Sequence, residues 1–445
     1  MKKAMLLMVA FLVSLPLGLG AQSDTPPNGY YALSYARLSF VNGDVFVQRT
    51  SDLGYEKGEV NLALIQGDKL GTGSGQVEVN LGRKNFLRLA DNSKVEFAVL
   101  PKEGDDKATI HLLDGTIYLR VSSLPSEKGI EVDTPDASYY ILEEGLYKFD
   151  VQAEKQTEVS VHEGSLEAAG QEGSTVVRRG ESLVAADGQL VGSPSYFSGR
   201  DDEFDRWNDS RDALLVPKTT ARNLPSDLDE YENDLDQNGH WVDQQPYGNV
   251  WVPNTYSDDW RPYLYGRWLW YPDCGWTWIS SESWGWPVYH YGRWQWGMGL
   301  GWYWIPHTHW GPAWVHWWWD NDYVGWCPMS WYNRPGVLFN NAFYDRYHEG
   351  YFPLHNRAMT VIRRNQLQER GVDRHFLRSN ELDHLGRINL QARQPSIRPV
   401  VDRAGLQSIA AQKVFSGKGA VGSGNRPVIS RPSGIRSDLR QDGGR

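Results

Sequence analysis

The sequence predicts a mainly β protein with two β domains, a short linking helix and a basic tail. The chain of 445 residues contains 45 Gly and 23 Pro, which favour many turns over long helices. Between residues 34 and 190, short alternating apolar runs are separated about every 8–12 residues by turn signals such as Asn42-Gly43 and Asp114-Gly115. Of the 21 Trp, all except Trp207 lie in a second segment, 241–335.

Residues 1–21 have the features of a secretory signal peptide. Lys2 and Lys3 precede an apolar run over 4–15, and a small-residue stretch ends at Ala21. We expect cleavage there and export to the periplasm, the outer membrane or the extracellular space; an uncleaved N-terminal anchor is the alternative. No later stretch is apolar enough to cross a bilayer, so we expect no transmembrane span in the mature chain. Because we expect the chain to be exported, we expect no nucleic-acid partner.

Ordered motifs in the first β domain match a known family. They are Gly43-Asp44-Val45, Gly67-Asp68-Lys69-Leu70, Leu113-Asp114-Gly115-Thr116-Ile117, Gly145-Leu146-Tyr147-Lys148-Phe149 and Val161-His162-Glu163-Gly164-Ser165-Leu166. The segment 34–190 resembles the FecR domain, an extracytoplasmic β-rich domain of Gram-negative bacteria, and the resemblance implies a β-sandwich or solenoid. The best-known members are similar to membrane-spanning transducers with a cytoplasmic segment that binds a sigma factor. Only three residues precede the hydrophobic segment here, so we expect no cytoplasmic arm.

The segment 199–240 is acidic and predicted to be helical. The spacing of Phe204, Trp207 and Arg211 indicates an amphipathic helix that packs on the first domain or serves as a linker. Asp234-Leu235-Asp236-Gln237-Asn238-Gly239 has the opening of a calcium loop, but Gln245 occupies the position of the closing Glu. A solvated acidic turn is therefore favoured over a metal site.

The tryptophan-rich segment contains an internal repeat of 26 residues. Tyr265-Gly266-Arg267-Trp268-Leu269-Trp270 recurs as Tyr291-Gly292-Arg293-Trp294-Gln295-Trp296, and Gly275-Trp276-Thr277-Trp278-Ile279 recurs as Gly301-Trp302-Tyr303-Trp304-Ile305. Side chains two apart share one face of a strand, so each Trp-x-Trp pair places both indoles on the same side. The segment is predicted to form an antiparallel β-meander.

The indoles have two possible roles, as core or as a binding surface. The segment has few aliphatic residues and no Phe, and twenty rings bury about 4,000 Å², at roughly 200 Å² each, which suffices for a core. Twenty indoles exceed the interior expected for so small a fold, and an exposed aromatic patch usually marks binding. We therefore expect some of them to lie against another domain or to line a groove for envelope polysaccharide or an envelope protein. The candidate ligand-binding residues are Arg267, Trp268, Trp270, Trp276, Trp278, Arg293, Trp294, Trp296, Trp302 and Trp304.

The sequence contains few other residues that could form a disulfide, a metal site or a catalytic site. Cys274 and Cys327 are a candidate disulfide, with two buried free thiols as the alternative. His307 and His309 share a strand face, but no further ligand is placed to complete a metal site. No nucleophile elbow, phosphate-binding loop, zinc-protease motif or dinucleotide fingerprint is present. We therefore predict no catalytic residues, no cofactor and no enzymatic activity.

The segment 200–335 also resembles an uncharacterised Trp-rich bacterial domain that often follows a FecR-like one, and no activity is implied. The shared motifs are Tyr247-Gly248-Asn249-Val250-Trp251-Val252-Pro253, the two Tyr-Gly-Arg-Trp copies, Gly311-Pro312-Ala313-Trp314-Val315 and Tyr323-Val324-Gly325-Trp326-Cys327-Pro328. Residues 336–445 are predicted to form a basic, largely disordered tail, with one strand at Met359–Ile362. The chain as a whole is interpreted as an exported binding or scaffold protein of the cell envelope; the alternative is a FecR-like regulator or sensor in transmembrane signalling.

Overall fold

The computed structural model describes most of the chain between residues 36 and 416. The gaps are 51–53, 102–104, 106, 125, 127, 153–155, 199–201, 217–222, 255–256, 258–259, 273, 337, 340–341, 344–357, 386–389, 398 and 400–408. The predicted signal peptide, 1–21, and the end of the predicted tail, 417–445, lie outside the described residues.

The first domain, residues 36–198, is one 14-stranded sheet that folds around its own apolar core. Its strands are β1 Arg37–Gln48, β2 Tyr55–Lys57, β3 Lys69–Asn80, β4 Phe86–Leu89, β5 Lys94–Val99, β6 Ala108–Val121, β7 Ile130–Asp133, β8 Ser138–Ile141, β9 Gly145–Gln152, β10 Gln156–Glu163, β11 Ser165–Gly170, β12 Gly173–Arg178, β13 Glu181–Ala186 and β14 Gln189–Tyr196. The main path runs β12-β11-β8-β7-β6-β4-β3-β1-β2, and of these pairs only β6–β7 is parallel. Alternation fixes the buried face: in β10, Thr157, Val159 and Val161 are buried and the residues between them are not.

Two predicted turns are bends within long strands. Gly43 lies inside β1, which pairs with β3 on both sides of a register shift between Gly43 and Val45. Gly115 lies inside β6, which pairs with β5 before it and with β4 and β9 after it. Both glycines have a positive φ, +73° and +83°, a conformation that turns and bulges share. The local sequence signal was therefore correct about the backbone and wrong about the hairpin.

The linking segment returns to the first domain, which is one of the two alternatives that the sequence left open. Helix α1, Glu203–Ala213, begins with a capping box between Asp202 and Asp205. Phe204 is buried against Tyr118 and Leu146 of the first domain. Helix α2, Glu232–Asn238, follows a 3₁₀ helix at Ser226–Tyr231. The calcium-loop motif thus lies largely within a helix, where Leu235 is fully buried.

The second domain, residues 223–397, confirms the predicted hairpins. Its strands are β15 Gly239–Gln244, β16 Gly248–Pro253, β17 Gly266–Tyr271, β18 Gly275–Ser280, β19 Tyr291–Gly297, β20 Gly301–Trp310, β21 Val315–Trp319, β22 Tyr323–Pro328, β23 Leu338–Phe339, β24 Ala342–Phe343 and β25 Thr360–Arg363; helix α3 spans Gly285–His290. In the first repeat Trp268 faces Trp278 and Trp270 faces Trp276 across β17 and β18. The second repeat pairs the residues 26 positions later in the same way across β19 and β20.

The hairpins do not continue into one meander. Strands β17 and β18 form a separate two-stranded sheet, whereas β19 and β20 belong to the sheet β15-β16-β20-β19 and β21 and β22 to the sheet β21-β22-β25. Helix α3 lies between the two repeats and is buried at every position, so it separates their sheets. The meander prediction is therefore correct for each hairpin and wrong for their connection.

Part of the predicted tail belongs to the second domain. Strand β25 confirms the strand predicted near Met359–Ile362 and pairs with β22. Beyond it, helix α4, Ser379–Leu382, and residues such as Leu367 and Val372 join the tryptophan core. Helix α5, Ile409–Ser416, packs on β2 and β3 of the first domain, where Phe415 stacks on Tyr55 with centroids 5.4 Å apart. The disordered-tail prediction is therefore corrected for 358–385, 390–397 and 409–416, because these segments bury apolar side chains.

Candidate functional site

The predicted binding tryptophans mostly lie in the core of the second domain. Trp268, Trp276, Trp278, Trp294, Trp296, Trp302 and Trp304 are buried. Trp268 packs on Trp317 and Trp326 with ring centroids 4.3 and 5.3 Å apart. Trp270, near the hairpin turn, is 40% exposed. A ring closed off from solvent cannot stack on a sugar, so the structure assigns seven of the eight rings to the core.

The core holds so many rings because residues from other segments of the chain help to enclose them. Apart from Trp241, Trp270, Trp319 and Trp331, all tryptophans of the repeat segment are buried. Their cluster also includes Ala63 from the first domain, Leu235 from the linking segment and Val361 from β25. The sequence predicted that some rings would lie at the surface or against another domain; four rings are not buried, and segments outside 241–335 help to close the core around the others.

The two repeat arginines occupy different environments. Arg267 forms ion pairs with Glu56 and Glu59 of the first domain; its Nε lies 2.5 Å from Glu59 Oε1, and its Nη2 also contacts Glu56. Arg293 stays within the second domain, where its guanidinium carbon lies 3.4 Å from the Trp314 ring centroid. The same local motif therefore makes an interdomain contact in one copy and a cation–π contact in the other.

A buried polar network surrounds Arg267 at the domain interface. Arg49 contacts Asp68 at 2.5 Å and donates to the Tyr271 hydroxyl at 3.1 Å; that hydroxyl donates to Ala63 O at 2.9 Å. Burial acts to raise the pKa of Glu56, but the charges of Arg49 and Arg267 outweigh it and hold this pKa below its usual value. Burial raises the pKa of Asp68 despite its contact with Arg49. Glu56 is thus held ionised between two cations, one from each domain.

Asn61 makes a second interdomain contact. Its Nδ2 donates to Ser280 O at 3.1 Å and to Glu282 O at 2.7 Å, and its Oδ1 accepts from Arg37 Nη1 at 3.2 Å. Asn61 is almost fully buried, with 1% exposure. Both donor hydrogens and the acceptor are therefore used, which fixes the first domain against the turn after β18.

The Glu282 side chain lies beneath aromatic groups of the same turn. Trp260 Nε1 donates to its Oε1 at 2.8 Å, and the Tyr289 hydroxyl donates to its Oε2 at 2.5 Å. Burial raises the pKa of Glu282 to about 7, and the hydrogen bonds from Tyr289, Trp260 and Ser280 only partly oppose this shift. A carboxyl that titrates near neutrality thus sits in the segment that Asn61 contacts.

One exposed aromatic cluster lies outside the predicted set. Trp331 and Tyr332 are 40% and 41% exposed, and each has its ring centroid 6.3 Å from that of Tyr247. The His307 ring lies 5.8 Å from Trp331, and the Tyr247 hydroxyl contacts Gln295 Oε1 at 3.4 Å. Trp331 is the last tryptophan of the tryptophan-rich segment, so the sequence contained a signal for this cluster. The predicted binding residues all came from the 26-residue repeat, and Trp331 lies outside that repeat.

The cysteines and histidines form neither of the candidate sites. Cys274 and Cys327 are both buried free thiols, the alternative to the candidate disulfide. Burial raises the pKa of Cys327 to about 12. His307 Nδ1 accepts from the His309 backbone N at 3.0 Å. Within the described ranges, no group of three or more His, Cys, Asp or Glu side chains is arranged to hold a metal ion.

No helix among the described residues is both long and apolar enough to cross a bilayer. The longest helix, α1, has 11 residues and carries charges of both signs.

Comparison with known proteins finds two family models that match separate segments of the chain. Residues 68–167 match the family model for the FecR protein, and residues 232–333 match a family of unknown function, DUF6600. Two crystal structures of a protein assigned as a candidate anti-sigma factor, from Parabacteroides distasonis, are 15% identical, with 29% of this chain and 60% of those chains covered and a TM-score of 0.25. The chain thus spans about three fifths of their length, and so low a score supports no argument. No curated protein sequence matches the chain. The chain therefore contains a segment that matches the FecR family model, followed by a segment that matches DUF6600, a family of unknown function.

Proposed function

We propose that this protein is an exported, non-enzymatic regulatory protein of the FecR type, which acts by binding a protein partner in the cell envelope. The observation that carries the proposal is the FecR match over residues 68–167. Export is proposed from Lys2, Lys3 and the apolar run that follows them. N-terminal sequencing of the protein from an envelope fraction tests the export: a chain that begins near residue 22 supports it, and a chain that retains Met1 in the cytoplasmic fraction contradicts it.

The interface supports a regulatory role because it couples the two domains. Arg267 has 9% of its side chain exposed and faces Glu56 and Glu59, whose side chains are 18% and 25% exposed. Removing one partner of a buried ion pair leaves an uncompensated charge and costs roughly 3–5 kcal/mol. A change in the second domain that displaces Arg267 therefore leaves Glu56 and Glu59 of the first domain without this cation.

A complementation experiment tests the regulatory proposal. The gene is deleted, and transcripts are compared after return of the wild-type chain, Arg267→Ala or Lys128→Ala. Lys128 is the matched control because its ion pair with Glu167 lies within the first domain. We expect deletion to change a discrete set of transcripts that wild type and Lys128→Ala restore and Arg267→Ala does not, at equal protein levels. Unchanged transcripts after deletion overturn the proposal, and full restoration by Arg267→Ala overturns the role of the interface.

A second candidate function is saccharide binding at the exposed cluster of Tyr247, Trp331 and Tyr332. Aromatic faces offer apolar contact to sugar C–H groups, and the exposed rings of Trp331 and Tyr332 both lie against the ring of Tyr247. Titration with an N-acetylglucosamine trimer, followed by Trp fluorescence, tests this candidate. Trp270 provides the matched control because its exposure equals that of Trp331. Saturable binding that Trp331→Ala removes and Trp270→Ala retains supports the cluster; equal binding by both variants, or none by wild type, contradicts it.

A further inference from the structure

A charged cleft of about 350 Å³ lies between the two domains. The side chains that matter for its chemistry are Glu59, Tyr265, Arg267, Arg370, Asp373 and Arg374. Glu59 belongs to the first domain, whereas the others belong to the second domain. The volume is within the range of small-molecule sites, roughly 300–1,000 Å³.

Two of the three cleft arginines are partly neutralised by the first domain. Arg267 uses Nε and Nη2 for Glu59 and Glu56, and its Nη1 makes no hydrogen bond with a described residue. Arg370 Nη1 lies 3.6 Å from Glu59 Oε2, and its Nη2 donates to Lys57 O at 3.1 Å. The single carboxylate of Glu59 is thus shared by two guanidinium groups.

The third arginine carries the uncompensated charge. Arg374 lies at the end of the 3₁₀ helix Val372–Arg374, and its exposed guanidinium makes no ion pair or hydrogen bond with the residues that the structure describes. Asp373 also lines the cleft, so the lining carries three positive and two negative charges. Glu56, outside the lining, also pairs with Arg267, so the positive charge that is left available in the cleft is that of Arg374. The partly buried side chain of Tyr265 lines the same cleft.

We propose that this cleft binds a small carboxylate of the hexuronate class, with Arg374 as the principal carboxylate-binding residue. The planar fork of a guanidinium matches the two oxygens of a carboxylate. Tyr265 supplies a face for the sugar ring, and Glu59 accepts from ring hydroxyls. A neutral hexose lacks the carboxylate and leaves Arg374 without a partner.

The position of the cleft gives the ligand a regulatory consequence, which rests on the proposed FecR-type function. Glu59 and Arg267 hold the domains together and also line the cleft. A carboxylate bound at Arg374 adds a negative charge to the cleft that Glu59, Arg267 and Arg370 also line, so ligand affinity and domain docking are linked thermodynamically. Ligand binding in the cleft then controls the regulatory activity of the protein.

Calorimetric titration of the full-length exported chain with glucuronate tests the site, with glucose and inorganic phosphate as comparison ligands. We expect glucuronate to bind, with an affinity that Arg374→Gln lowers about tenfold, since a hydrogen bond to a charged group is lost. Arg378→Gln is the matched control: it removes the same charge four residues away, outside the cleft lining. Asp373→Asn is expected to raise the affinity about two- to fivefold by removing a like charge.

Three outcomes overturn the proposal. They are the absence of glucuronate binding, equal binding of glucose or phosphate, and equal losses in Arg374→Gln and Arg378→Gln. The measurement requires no partner and no transcriptional output. Binding without any transcript change in the deletion strain therefore refutes the regulatory function and keeps the site, whereas a transcript change without glucuronate binding refutes only the site.

Discussion

The raised pKa of Glu282 makes a quantitative prediction about stability against pH. The carboxyl titrates at its usual value of 4.5 in the unfolded chain and at about 7 in the folded chain. Because the folded pKa is the higher one, the carboxyl's contribution to stability is fully present below pH 4.5 and is lost as the pH rises to about 7. At roughly 1.4 kcal/mol per pH unit, the loss is at most about 3 kcal/mol. Glu282 is half-buried, so solvent screening reduces the expected loss to about 1–2 kcal/mol.

The variant Glu282→Gln removes this titration while retaining an oxygen for Trp260 Nε1 and an amide that can bond the Tyr289 hydroxyl. We expect the variant to have nearly wild-type stability at pH 5 and to exceed wild type by about 1–2 kcal/mol at pH 8. Urea unfolding followed by Trp fluorescence at both pH values measures the difference. Glu144→Gln, at an exposed position of the first domain, serves as the control.

A Glu282→Gln effect of the same size at pH 5 and pH 8 would refute the reasoning, because a constant difference reflects packing and not titration. A variant less stable than wild type at pH 8 would refute it as well. It would mean that the folded state prefers the ionised carboxylate, as when Trp260 and Tyr289 stabilise the negative charge more than burial opposes it.

Three further predictions concern the core, the thiols and the C-terminal helix. Trp278→Ala is expected to cost about 3–5 kcal/mol in urea unfolding and Trp331→Ala less than about 1 kcal/mol, because only the first ring is fully buried; equal costs would contradict the assigned burial. Cys274 and Cys327 are expected to react with a thiol reagent only after denaturation, and a reductant is expected to leave the unfolding midpoint unchanged; a midpoint lowered by reductant would indicate a disulfide. Gly71→Val is expected to release α5, since a Cβ there would lie 2.6 Å from a side-chain methyl of that helix, and limited proteolysis should then cut near residue 409 faster than in wild type; unchanged cleavage would contradict the docking of α5.

The sequence predicts the first domain well at the level of strands and less well at the level of turns. Alternation of apolar residues is a local property, and it correctly indicated the buried positions of β10. Asn42-Gly43 and Asp114-Gly115 were misassigned because a glycine with positive φ serves equally in a hairpin turn and in a bulge. Only the strand that pairs on the far side distinguishes the two, and that strand is distant in sequence.

The sequence predicted that tryptophans form a core, but not how many of them the core would hold. The 26-residue repeat predicted the hairpins, and the Trp-x-Trp spacing predicted that both indoles of a pair share one strand face, because side chains alternate along a strand. The number of rings that a core can hold depends on what covers them. Here Ala63, Leu235 and Val361 close the core, and each comes from a part of the chain assigned on sequence to another segment. Seven of the eight proposed binding rings thus lie in the core, and the exposed pair, Trp331 and Tyr332, lay outside the repeat.

The interface shows how a duplicated motif acquires two roles. Arg267 and Arg293 occupy equivalent positions of equivalent hairpins, so the repeat itself assigns them the same environment. They differ in their partners: β17 and β18 lie beside Glu56 and Glu59 of the first domain, whereas β19 and β20 are closed in by β16 and by Trp314. Coupling between the domains is therefore concentrated in the first copy. Because the cleft borders that copy alone, the ligand that we propose there would lie beside Arg267 and Glu59, a contact between the two domains.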